Sequence, residues 1–259
     1  MIDLNNEQIH IDPLQLYFER PIKINEYITI TQPTIGQIID HGEQNFYSML
    51  YKFIGNTTMF RLNLWDNGID WNKISDYELF AMMVLGLEKK DTSLIFGDLD
   101  FSKLEVKPKV IDENTIGITL RYKLSWGRSF EIDENTYKQI ALALRTMFGI
   151  FPKNEFARNK VTKQAIIWED RENLKMREKD GHQSMLLPLI SSCLNHPGFK
   201  YKKKELEQVG VFEFMDAVQR LQIYESTTAL LKGMYSGFMD TSKIDKKEFN
   251  FMREIQYSK

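Results

Sequence analysis

The chain has 259 residues, with 34 Lys and Arg against 36 Asp and Glu. It is long enough to bury a sizeable core, and too evenly charged to draw in nucleic acid through a global field or to mimic it. One cysteine, Cys193, excludes an intrachain disulfide, and no apolar run reaches the length of a membrane span, so the composition points to a soluble protein of a reducing cytoplasm with no membrane partner.

From the N-terminus, residues up to Asp12 are polar. Residues 21–24 and 27–31 alternate apolar and polar about Asn25-Glu26, which predicts a small hairpin. Thr34 is the expected N-cap of a helix carrying Ile35, Ile38 and Ile39 and interrupted at Gly42. A second helix spans 43–54 with Phe46, Met49, Leu50 and Phe53 on one face. Helical patterns follow at 57–64 and 75–87, the latter opened by Ser75 and Glu78 at capping-box spacing, with Leu79, Met82, Met83 and Leu87 expected inside. The period then changes to two. Residues 101–111, 115–124 and 128–132 read as a three-stranded antiparallel meander, with Pro108 suited to an edge strand. Asp133 caps a helix whose Tyr137, Ile140, Ala141, Leu144 and Phe148 share a face, ending near Gly149.

Phe151-Pro152-Lys153-Asn154 marks the best boundary, before a polar helix over 155–179 whose second half is densely charged and expected in solvent. The fold class is therefore α+β and predominantly helical: a mixed N-terminal domain over 1–152, a charged helical connector over 153–183 and a C-terminal antiparallel helical unit over 184–259.

In that last unit Phe214, Ala217, Leu221, Tyr224, Thr228, Leu231, Tyr235 and Phe238 recur at steps of three and four, one face of a long helix. A short apolar helix with Met185, Leu186, Leu189, Ile190 and Cys193 precedes it and stops near Pro197-Gly198. Gly237 is placed to terminate the long helix, and Asp245 with Glu248 has the form of a capping box opening a last helix with Phe249, Met252 and Ile255 turned inward. The stripe is either the core of this unit or a groove for a partner. If it is a groove, its partner-binding side chains are Phe214, Leu221, Tyr224, Leu231, Tyr235, Phe238, Phe249 and Met252.

No catalytic pattern emerges, so no enzyme activity, cofactor or metal is assigned. There is no phosphate-binding loop, dinucleotide fingerprint or nucleophile elbow. His10, His41, His182 and His196 lack ligand spacing to one another or to Cys193, and they read as surface or capping groups. Asp98 with Asp100, and Asp66-Asn67-Gly68 with Asp70, hint at cation sites, but each is incomplete and reads as a turn. Lys200 and Lys202 to Lys204 are followed at once by Glu205 and Glu207, the solvated entry to a helix. Trp65, Trp71, Trp126 and Trp168 fall in different elements without a basic frame, which argues against nucleic acid stacking.

Three stretches, 32–53 (QPTIGQIIDHGEQNFYSMLYKF), 91–106 (DTSLIFGDLDFSKLEV) and 186–255, together resemble proteins encoded in the tail-gene clusters of bacteriophages and prophages of Gram-positive bacteria, regarded as tail assembly chaperones. The middle, 107–179, departs most from that pattern. The resemblance implies a non-catalytic protein of the host cytoplasm that binds the helical tape-measure protein, or another tail protein, until tube subunits polymerise around it. A structural component of the tail or baseplate is the alternative reading.

Overall fold

The computed structural model describes residues 11–112, 115–124, 127–181, 183–237 and 242–255. Trp126, His10, His182 and Phe238 lie outside the described residues. The protein is α+β and predominantly helical.

The N-terminal elements form as their local chemistry dictates. Asp12 caps a short helix α1 (Pro13–Tyr17), and the hairpin pairs β1 (Ile22–Lys23) with β2 (Thr29–Ile30). Its turn is built by the Asn25 carboxamide, which accepts from the Tyr27 and Ile28 amides at 2.9 and 2.8 Å. Thr34 and Gln37 close a capping box on α2 (Ile35–His41), and Gly42, at φ +89°, turns the chain into α3 (Glu43–Ile54). α3 buries Phe46, Met49, Leu50 and Phe53 as expected, together with Tyr47 and Ile54.

α4 (Arg61–Asp66) and α5 (Asp76–Val84) follow, the second opened by the expected Ser75–Glu78 box. The expected inner face of α5 needs correction, because this helix lies between two apolar clusters. Tyr77, Phe80, Ala81 and Val84 face the main core, whereas Leu79 and Met83 face a smaller cluster around Trp71 and Leu64. Met82 falls on the flank neither cluster covers and is 47% exposed. α6 (Lys89–Phe96) is not anticipated by the sequence reading, because its eight residues bury only Thr92, Ile95 and Phe96, too few to establish a period.

The meander is β3 (Leu104–Asp112), β4 (Thr115–Lys123) and β5 (Ser129–Ile132), antiparallel in that order, so Pro108 does lie on an edge strand. Leu120, Tyr122, Phe130 and Ile132 turn inward. The Tyr77 hydroxyl links α5 to the sheet, donating to the Ile132 carbonyl at 2.5 Å and accepting from the Leu120 amide at 3.2 Å. α7 (Glu134–Phe148), capped by Asp133 and ended by left-handed Gly149, supplies the opposite wall.

The polar helix starts later than expected. The chain stays extended to Asn159 because Asn56, Thr58 and Asn72 hold residues 153–157 by hydrogen bonds, and the Asn159 side chain then caps α8 (Lys160–Asp180). The first half of α8 docks: Ile167 is buried beside Trp71, and three cation–carboxylate contacts tie it to α4 and the following turn. Arg61 pairs with Asp170 at 2.5 Å, Lys163 with Asp70 at 2.6 Å, and Arg171 with Asp66. Its second half is exposed, as the charge density implies.

α9 (Leu186–Asn195), α10 (Lys203–Leu206) and α11 (Val211–Tyr235) complete the helices. Glu43, the first residue of α3, caps α9, accepting from the Ser184 hydroxyl and from the Met185 and Leu186 amides at 2.5–2.8 Å. The main buried cluster runs across both expected domain boundaries, joining Leu50, Phe53 and Leu144 to Leu186, Cys193, Leu206, Phe212 and Phe214.

Candidate partner-binding surface

α11 begins inside the core. Its first amides are satisfied by side chains far back in the chain. The Gly210 amide donates to Glu19 at 2.8 Å, the Phe212 amide to the Gln32 carboxamide oxygen at 2.6 Å, and Gln32 in turn donates to the Leu16 carbonyl at 2.7 Å. A side chain at Gly210 would meet the Glu19 and Gln32 oxygens at 2.8 Å, and these two side chains would have to draw back from the amides they cap. Val211, Phe212, Phe214 and Val218 are buried against α7 and α1.

The flanking loop locks this half in place. Glu213 accepts from the Tyr201 hydroxyl and pairs with Lys200 at 3.3 Å. Contact with Tyr201 and then with Glu213 pushes the Lys200 ammonium upward, so it stays charged at neutral pH, 4.5 Å above the Tyr201 ring. Lys200 is thereby spent on α11, while Lys202, Lys203 and Lys204 stand exposed at the start of α10. His196 accepts from the Gly198 amide through Nδ1 at 3.0 Å and faces Glu225 through Nε2 at 3.1 Å, the capping role expected of it.

Beyond Leu221 the surroundings change. The returning segment 242–255 covers one side: the Thr227 hydroxyl donates to the Glu248 carbonyl at 2.9 Å, Arg253 donates to the same carbonyl at 2.9 Å, and Arg220 donates to the Arg253 carbonyl at 2.7 Å. Ile255 is buried beneath it. The expected last helix is instead one 3-10 turn, Lys246–Phe249, because the Asp245 carboxylate bonds the Lys247 amide two residues on and not that of Glu248. Phe249 is half-buried there, and Met252, expected inside, points outward at 70% exposure.

Of the residues proposed for partner binding, Phe214 is fully buried and belongs to the core. Leu221 is half-buried against that core, and Leu231 is half-buried farther out. Tyr224 and Tyr235 are 55% and 81% exposed, and Phe251, which the sequence reading passes over, joins them at 54%. Its signal is visible afterwards: Phe249, Phe251 and Met252 crowd one short stretch, too many apolar groups for one turn to bury. The surface carries rings, a thioether and aliphatic carbons, groups that gain free energy when they are buried.

The acidic pairs are absorbed locally. Asp98 pairs with Lys89 at 2.6 Å, Asp100 bonds the Ser102 amide and hydroxyl at 3.2 and 2.7 Å, and Asp66 and Asp70 hold α8. Among the described residues no three His, Cys, Asp or Glu side chains gather as a metal cluster would require, and no helix is long and apolar enough to cross a membrane. A cleft of about 470 Å³ between α4, the 152–155 segment and α8 has Arg61 at its centre, already committed to Glu155 and Asp170. Compared with protein-family models, with curated proteins and with solved structures, the chain matches none.

Proposed function

We propose that this protein is a non-enzymatic assembly chaperone of a bacteriophage tail, which binds the tape-measure protein in the host cytoplasm until tube subunits enclose it. The resemblance of residues 32–53, 91–106 and 186–255 to tail-cluster chaperones supports the reading. The observation that carries it is the outer half of α11 with the segment that returns along it: Tyr224 and Tyr235 on the helix, and Phe251 and Met252 in residues 242–255, stand more than half exposed, while the other half of the helix is locked in the core. An amphipathic client helix laid along that surface would cover these side chains, each contributing up to about 1.5–3 kcal/mol when fully buried.

The test is co-expression with the tape-measure protein of the same gene neighbourhood, followed by pull-down and light scattering. A soluble, stoichiometric complex is expected; a client that stays insoluble and unbound overturns the reading. A structural tail or baseplate component is the second reading, favoured by the outer edge of β3, where Val106 and Val110 are 45% and 74% exposed on a strand paired on one side only. Mass spectrometry of purified virions separates the two, since an assembly chaperone is absent from the finished particle.

A further inference from the structure

Strand β2, the turn at 96–99 and the β4–β5 hairpin enclose a cleft of about 390 Å³ that the chaperone reading does not use. Its wall is a stack of three rings. Tyr122 and Phe130, both 7% exposed, lie 5.0 Å apart at 23°, and Phe130 lies 4.7 Å from Tyr27 at 6°. The stack ends on Tyr27, which lines the cleft and is 38% exposed.

Apart from the tyrosines, the only ionisable side chain lining the cleft among the described residues is Asp98, in the turn opened by Gly97 at φ +59°. One of its oxygens already holds a cation, the Lys89 ammonium at 2.6 Å. That hydrogen bond keeps the Asp98 carboxyl below the usual carboxylate range, so it is charged at neutral pH. Both partners are more than half exposed, and such pairs contribute little, so another cation can take Lys89's place at small cost. The charges that act on Tyr27 itself are Glu26, whose hydrogen bond raises the tyrosine's pKa, and Arg128, which works against it. The Thr31 hydroxyl is committed to the Leu94 and Ile95 carbonyls at 3.0 and 3.1 Å, which leaves a neutral polyol with few partners.

We propose that this cleft receives the guanidinium of an arginine side chain from a partner protein, stacked on Tyr27 and paired with Asp98. A guanidinium is planar, weakly hydrated and forked, so it can lie on a ring and meet a carboxylate with two N–H donors at once. An ammonium gains nothing over Lys89, which is one already. The proposal is independent of what the outer half of α11 binds.

The test uses the whole chain, isotope-labelled, titrated with acetyl-Gly-Arg-Gly-amide while backbone amide shifts are followed by NMR. The citrulline and lysine peptides of the same frame serve as probes of charge and of planarity. Saturable shifts confined to Tyr27, Thr29, Gly97 and Asp98 are expected with the arginine peptide, at millimolar affinity. Binding should weaken roughly five- to tenfold for the lysine peptide, at least as much for citrulline, and likewise for the arginine peptide on Asp98→Asn and on Tyr27→Ala. Both substitutions lie on the surface, and unchanged shifts elsewhere verify their folds. Equal binding of citrulline, equal binding of lysine, or no saturable shift at these amides each overturns the proposal.

Discussion

The two halves of α11 share one helix and one apolar period but have opposite fates. In the inner half Val211, Phe212, Phe214 and Val218 fill a broad arc and disappear into the core; in the outer half Ile223, Leu230, Leu231 and Met234 lie round to the other side of the helix and stay half-buried. The stripe from Phe214 to Tyr235 runs along the margin between the two arcs. The lesson is that spacing shows where a face is, while the width and direction of the apolar arc show whether it is buried.

The comparison breaks most sharply at Phe214. Truncating this fully buried ring, Phe214→Ala, should cost about 3–5 kcal/mol in urea unfolding, and a loss under 1 kcal/mol would show that the inner half is not core. Next comes Gln32→Ala, which strips the Phe212 amide of its acceptor and the Leu16 carbonyl of its donor, for about 1–3 kcal/mol. Hydrogen exchange should then rise at the start of α11 and not at Thr227.

A smaller effect tests the wall behind the inner half. Burial works against the Asp133 carboxylate, but the Thr136 amide and hydroxyl, with Lys109, more than offset it and leave its pKa lowered. A group depressed in the folded state stabilises above its unfolded pKa, near 4, and that stability drains away as pH falls through the lower folded value. Asp133→Asn should therefore flatten the acid limb of a stability profile below about pH 4; an unchanged limb would remove Asp133 from the account. Smallest in stability is Tyr224→Ala combined with Tyr235→Ala. Melting should stay within about 0.5 kcal/mol of the parent while client capture falls by tenfold or more. Equal loss of both properties would turn the outer half back into core.

Much of the scaffold was legible because its signals are local. Thr34, Ser75 and Asp133 cap where their side chains can reach the third amide, Gly149 and Gly237 end helices with positive φ, and the meander breaks at its turn residues. What stayed hidden depends on distant partners. Met82 is exposed because two clusters claim the other flanks of α5, and α8 starts late because Asn56 and Asn72 bond the carbonyls of Lys153 and Ala157, 97 and 85 residues further on, and hold the chain extended. The acidic turn at 66–70 reads as half a cation loop until Arg171 and Lys163 arrive from α8 to occupy it. Residues of the candidate surface were named through their spacing, but spacing left open whether the stripe is core or groove, and it is the packing that buries Phe214 and exposes Met252, since nothing in a period reveals where the returning chain will lie.

The anchoring of α11 by Glu19 and Gln32 also orders events in time. Those side chains are made about 190 and 180 residues before the amides they bond, and the core that α11 closes with Phe212, Phe214 and Val218 is otherwise built from buried residues before that helix. During synthesis the N-terminal elements must wait with an open seam until α11 emerges, a long loop closure of the kind that slows folding. Premature termination before Val211 would then leave a sticky, unfinished body, whereas termination just beyond α11 would leave a sealed one lacking only its outer cover.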